Sequence, residues 1–298
     1  RKESSAASDV YKRQHYFSNT LIINNLEFDH ADIFEDLAAI QKQFHHLVRT
    51  VPGAGNIIMP SSDENINQVI AQGCWSRQHH FGIKSDDNWQ YRLIEEDGSR
   101  FEIIFTDDRG VTKESGQVGW PHSGLHNVKN ALAAVIAAYQ VGVNISQSCE
   151  ALSNFIGVKR RMEVICESQG VTIYDDFAHH PTAIKSTLEG LRAKVGDDFI
   201  LAIIEPRSAT MKMGVHQQTL ASSVKSADQV LWYQNAAIDW DMASLSDAIE
   251  IPSMIINKLD DLIEATVNLA HSNVHIVIMS NGGFDDFHNK LSDAIKSL

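Results

Sequence analysis

The hydrophobic positions of the chain change period repeatedly from residue 21 onward. Short apolar runs at "LIINNL" (21–26), "NIIMP" (56–60), "FILAII" (199–204), "QVLWY" (229–233) and "VHIVIMS" (274–280) have the length of buried strands. Between them, apolar residues recur three and four apart. Over about 32–49, Ile33, Leu37, Ile40, Phe44, Leu47 and Val48 line one side of a predicted helix. Further helices are predicted after "SSDEN", whose serines and acids suit an N-terminus, and over 126–143, 145–155, 181–193, 215–226, 260–271 and 286–297. Residues 78–120, with "HHFGI", "WQYRLIE" and "RFEIIFTD", read as consecutive strands forming an antiparallel excursion. Strands at 163–167, 171–175 and near 253–257 complete an α/β pattern.

The second half predicts a doubly wound, mainly parallel sheet, in which ligands bind beyond the carboxyl ends of the strands. Three of its strands end in polar segments, "DDFAHHP", "EPRS" and "SNGGF", which should meet at one crevice. A length of 298 residues suits two domains of roughly 150 residues each. The basic segment "GVKRRMEV" (157–164) marks the expected boundary, giving domains over 15–157 and 158–298. Residues 1–14 are small, polar and aperiodic, and read as a disordered or foreign tail.

Composition narrows the function. A net charge of -13 argues against nucleic acid and anionic membrane as partners, because phosphate-rich surfaces need Lys and Arg. No apolar run reaches the ~20 residues of a membrane span. Three widely spaced cysteines, with no CxxC, fit a reducing cytoplasm.

Several segments could carry chemistry. "NNLEFDHADIF" (24–34) packs Glu27, Asp29, His30 and Asp32 where a strand leads to a helix, suiting either Mg²⁺ or helix capping. "GLHNVKNALAA" (124–134) opens a helix with His126, Asn127 and Asn130, carboxamides able to read an adenine edge or simply to face solvent. Lys159, Arg160 and Arg161 offer phosphate donors in an acidic protein, or a solvated patch. "YDDFAHHPTAI" (174–184) could be a metal site, an acid/base pair or a capped turn. Arg207 and Ser208 in "EPRSATMK" suit a carboxylate or an ion pair, and "SNGGF" suits an anion or a tight turn. No GxxxxGK[ST] phosphate loop occurs.

In their order and wording these segments resemble the Mur ligases, most closely the branch that attaches a ready-made murein tripeptide to UDP-N-acetylmuramate with ATP. The resemblance runs from about residue 21 to the C-terminus. It implies part of a central ATPase domain followed by a Rossmann-like C-terminal domain, with ATP and Mg²⁺ as cofactors and a monomeric state. His30 would lie near Mg²⁺ and the acyl phosphate, and His126, Asn127 and Asn130 at the adenine. Arg161 would reach ATP and Asp176 its ribose. His179 and His180 would face the reacting groups. Arg207, Ser208, Asn281 and Gly282 would handle the incoming peptide.

Family members also carry a UDP-binding domain and a phosphate loop with an essential lysine, and neither is present. The chain is therefore expected to be an incomplete fragment without ligase activity on its own. The rival readings are a ligase adding a single amino acid such as L-alanine, and a non-catalytic nucleotide- or peptide-binding relative. A metallohydrolase built on "DDFAHH" is a third.

Overall fold

The computed structural model describes residues 17–298 except Ser85, Ala237 and Asp239, so the tail assigned to residues 1–14 lies outside the described residues. The chain divides into two compact units. One comprises the chain up to Pro121 with Leu125–Phe155, the other His122–Gly124 with Ile156–Leu298.

The first unit is built on strands β1 (Thr20–Ile22), β2 (Asn56–Pro60), β3 (Arg77–Gly82), β4 (Trp89–Leu93), β5 (Arg100–Thr106) and β6 (Thr112–Gly119), which pair in sequence order. β1 to β4 run parallel and β4 to β6 antiparallel. The excursion is thus antiparallel only from β4 onward. β3 adds to the parallel part, because Phe81 on it joins the core with Ile58.

Helix α1 (Leu37–Val48) begins five residues later than its periodicity suggests, since Asp36 caps it by accepting from Ala39 N–H. The preceding residues form a turn in which Ile33 and Phe34 N–H both donate to the His30 carbonyl. Asp63 caps α2 (Glu64–Ala71), and its other oxygen accepts from Leu26 N–H at 3.2 Å, tying down the segment after β1. Helices α3 (Leu125–Tyr139) and α4 (Ile145–Ser153) close the unit, with Val128, Leu132, Val135 and Ile136 of α3 buried against Trp89, Phe101 and Ile103. Trp89 stacks on Phe105 at 4.4 Å between centroids.

In the second unit the strands β7 (Glu163–Ser168), β8 (Val171–Asp176), β9 (Phe199–Ile204), β10 (Gln229–Tyr233), β11 (Ser253–Ile256) and β12 (Val274–Met279) form one sheet. Its order is β11-β10-β9-β12-β8-β7, parallel except at the β7–β8 edge. Period-two burial shows why it is wound on both faces. Ile200, Ala202 and Ile204 of β9 pack with Ile184 and Leu188 of α5 (Pro181–Val195), whereas Leu201 and Ile203 pack with Leu262, Phe287 and Leu291. These last three belong to α9 (Leu259–Leu269) and α10 (Phe287–Lys296), which follow α6 (Ala209–Lys212), α7 (Gln217–Ser223) and α8 (Met242–Ala248).

Three local departures from the sequence pattern have physical causes. The helix expected over 215–226 is confined to 217–223, with α6 separate before it, because Gly214 takes φ +69° between them. The short α8 has no counterpart in the hydrophobic pattern and is set by its Asp241 cap and by burial of Met242 and Leu245. The last helix starts at Phe287 because Phe284, Asp285 and Asp286 all adopt positive φ, a left-handed turn costing about 1 kcal/mol per residue.

Candidate functional site

In the second unit, Asp176, Met279 and Ile204 lie side by side in register, at the carboxyl ends of β8, β12 and β9. β8 and β9 pass the chain to helices on one face of the sheet, and β12 between them passes it to α10 on the other. Loops that part in this way open a crevice. "DDFAHHP", "EPRS" and "SNGGF" do meet there, as their strand ends predict.

The loops are wired together by polar contacts. Ser280 N–H donates to the Asp176 carbonyl at 3.1 Å, and its hydroxyl donates to buried Glu205 at 2.5 Å. Glu205 also holds Arg207 in an ion pair at 3.6 Å. The Arg207 guanidinium lies directly against Gly282, where a Cβ would overlap it. Arg160 Nη2 donates to the carbonyls of Ser280 and Gly282 at 2.6 and 2.9 Å, and its Nε pairs with Asp175 at 3.2 Å. His288 on α10 reaches the other Asp175 oxygen at 3.2 Å.

The aspartate–histidine cluster diverges rather than converging on one point. Asp176 is 4% exposed, and its carboxylate accepts from Met162 N–H at 2.9 Å, Ala178 N–H at 2.8 Å and the Thr187 hydroxyl at 3.4 Å. Burial raises its pKa despite those donors. His179 Nδ1 lies 2.8 Å from the Phe177 carbonyl. His180 caps α5 through Thr182 N–H, with Pro181 at the first helical turn where its missing N–H costs least. Arg160 and Arg161 flank the Phe177 ring at 5.1 and 5.3 Å, a cation–π arrangement. Ser208 accepts from Met211 N–H as the cap of α6, so its hydroxyl oxygen serves the backbone first.

The first unit carries its own polar cluster. His30 is exposed at a left-handed corner of φ +56°, its N–H bonded to Asp29 at 2.7 Å. Asn24 donates to Asn130 Oδ1 at 2.8 Å, linking the loop after β1 to the start of α3, where His126 and Asn127 are half-buried. Among the described residues no three His, Cys, Asp or Glu side chains converge to hold a metal ion. His30 alone does not make a complete Mg²⁺ site.

Sequence reasoning brought the segments with Asp175, Asp176, Glu205, Arg207, Ser280 and Gly282 to this crevice, but gave no role to Asp175, Glu205, Ser280 or His288 and offered Arg160 only as one of three phosphate donors. The order of the strands was the signal that could have found Ser280 and Glu205, since both stand one residue past a strand end. Nothing in the sequence separates Arg160 from Arg161.

These two units define an α/β protein whose second half is a doubly wound sheet with a charged crevice at its carboxyl edge. The family model for the Mur ligase middle domain matches residues 8–138, and that for the Mur ligase glutamate ligase domain matches residues 160–282. The chain belongs to the Mur ligase family. It is 48% identical over 282 residues to the UDP-N-acetylmuramate–L-alanyl-γ-D-glutamyl-meso-2,6-diaminoheptandioate ligase of Escherichia coli K12, covering 94% of this chain and 60% of that one. The crystal structure of a murein peptide ligase from Psychrobacter arcticus superposes with a TM-score of 0.69 at 42% identity, covering 96% of this chain and 59% of that one. A UDP-N-acetylmuramate–L-alanine ligase of Desulfitobacterium hafniense is 35% identical over 232 residues, 76% of this chain and 49% of that one. The chain thus spans about three fifths of the length of the first of these relatives.

Proposed function

We propose that this chain forms part of an ATP-dependent ligase that joins L-alanyl-γ-D-glutamyl-meso-diaminopimelate to UDP-N-acetylmuramate. ATP would phosphorylate the muramyl carboxylate, releasing ADP. The alanyl amine would attack the acyl phosphate, phosphate would leave, and an amide would form. The observation that carries the reading is the 48% identity, along 94% of this chain, to a relative whose name states these two substrates.

The chain's own residues would then divide the work. Asn127, Asn130 and His126 would recognise adenine, and Arg161 would bind ATP. Arg207, backed by Glu205, would bind a carboxylate of the incoming peptide, with Asn281 and Gly282 beside it. His179 and His180 would face the reacting groups. Asp176 would meet the ATP ribose while also accepting from the Met162 and Ala178 N–H groups that hold its turn. Domains over 15–157 and 158–298, a monomeric state and use of Mg²⁺ belong to the same proposal. No helix among the described residues is long and apolar enough to cross a membrane.

Calorimetric titration of the chain with the tripeptide and, separately, with L-alanine tests the substrate. Binding of the tripeptide without L-alanine is expected. Preference for L-alanine would favour the single-amino-acid reading, and binding of neither would refute a peptide site on this chain.

A further inference from the structure

We propose that Arg160 is a positioning residue for the incoming peptide, fixing the direction in which the Ser280–Gly283 loop presents its amides and the pose of Arg207 above it. This rests on the reading of that loop and Arg207 as peptide-binding elements.

The residue is held before its side chain begins. Arg160 adopts φ +59°, its N–H donates to Glu163 Oε2 at 2.9 Å, and its carbonyl accepts from Phe177 N–H at 2.9 Å. From that fixed origin the guanidinium spans two different partners. Nε faces Asp175, itself 9% exposed and with His288 Nε2 3.2 Å from its other oxygen. Nη2 takes the carbonyls of Ser280 and Gly282 together. A planar fork serves both partners at once, and a lysine ammonium could satisfy one or the other but not both.

The grip has a directional consequence. All described peptide bonds in the loop are trans, so each carbonyl and the following N–H point opposite ways. With the carbonyls of Ser280 and Gly282 turned to Arg160, the N–H groups of Asn281 and Gly283 turn to the far side. The loop is therefore polarised, acceptors toward Arg160 and donors away, and paired amide donors suit a carboxylate. Gly282 meanwhile carries the Arg207 guanidinium against its Cα. On the Arg160 side lies a cavity of about 420 Å³ lined by Asp175, Gly282, Gly283, His288 and Lys296 among others. Hydrogen bonds rather than close packing thus hold the loop on that flank.

The test uses the 298-residue chain, with exposed Lys159→Ala as a control. Tripeptide affinity is measured by calorimetry, and exchange of the Asn281 and Gly283 amide protons by NMR. Arg160→Lys should weaken tripeptide binding about tenfold, as expected for losing a charge-assisted bond, and should speed both amide protons. Arg160→Ala should weaken it further and recover on addition of methylguanidinium, which a merely structural contribution to folding would not show. Unchanged affinity in Arg160→Lys, or loss in Arg160→Ala without recovery, would overturn the proposal. If the unaltered chain binds no tripeptide, the peptide-site reading fails. Arg160 is then judged on exchange alone, and loop protons unaffected by Arg160→Lys would overturn it too.

Discussion

Arg207 and Gly282 share one space: the Arg207 side chain fills the volume in which any side chain at 282 would begin. Gly282 does not owe its place to backbone freedom, because its φ is not among the positive ones. Gly282→Ala should therefore fold and simply push the flexible arginine aside. The expected result is a stability loss below about 1 kcal/mol in urea unfolding and a fall of roughly tenfold in tripeptide affinity. An alanine variant that binds peptide as well as the unaltered chain would remove Arg207 from the site.

Asp176 and Asn130, both assigned to ATP by resemblance, should behave in opposite ways when replaced. Asp176→Ala leaves two backbone donors, Met162 N–H and Ala178 N–H, without their acceptor inside the protein. A loss of about 3 kcal/mol is expected in denaturant unfolding.

Asn130→Ala removes one exposed bond to Asn24 and should leave stability within about 0.5 kcal/mol. It should abolish or strongly reduce any ATP binding measured by titration of the chain. Undiminished ATP binding in this variant would remove the adenine assignment.

Alkaline conditions should expose two buried acids. Burial, with Glu114 adding, pushes the Cys149 thiol up to about 11 from 9.0, and burial, with Glu167 adding, pushes Tyr174 up to about 12 from 10.0. Each is raised on folding, so each contributes stability that is whole below its unfolded pKa and is lost as pH climbs through the folded value. Stability should hold up to about pH 9 and decline between about 9 and 12, with Cys149→Ala removing the earlier part. At pH 8, thiol reagents should modify half-buried Cys74 well before Cys149.

The layout of the second unit was legible in the sequence because its strands are continuous apolar runs, and "FILAII" and "VHIVIM" need no partner to be recognised. The meeting of three strand ends followed from topology alone. What stayed hidden depends on the sign of a dihedral. Arg160 and Arg161 are equivalent in the sequence, and φ +59° at 160 and +52° at 162 decide which guanidinium turns inward to Asp175 and which stays exposed on Phe177. The start of α1 was hidden for a related reason. Ile33 keeps helical spacing, yet the left-handed His30 and the Asp36 cap set the first turn farther along. The backbone contacts of Asp176 were hidden too, since a carboxylate that accepts from Met162 and Ala178 N–H looks the same in sequence as one that does not.

The left-handed run at Phe284–Asp286 separates anchoring from display. Phe284 and Phe287 are wholly buried, while Asp285 and Asp286 between them are exposed. Their carboxylates are carried between two buried rings beside the crevice yet make no part of the core. That makes the pair an attachment point: a fluorophore introduced at 285 would ride on a fixed base a few residues from Gly282, able to report occupancy of the crevice without entering it.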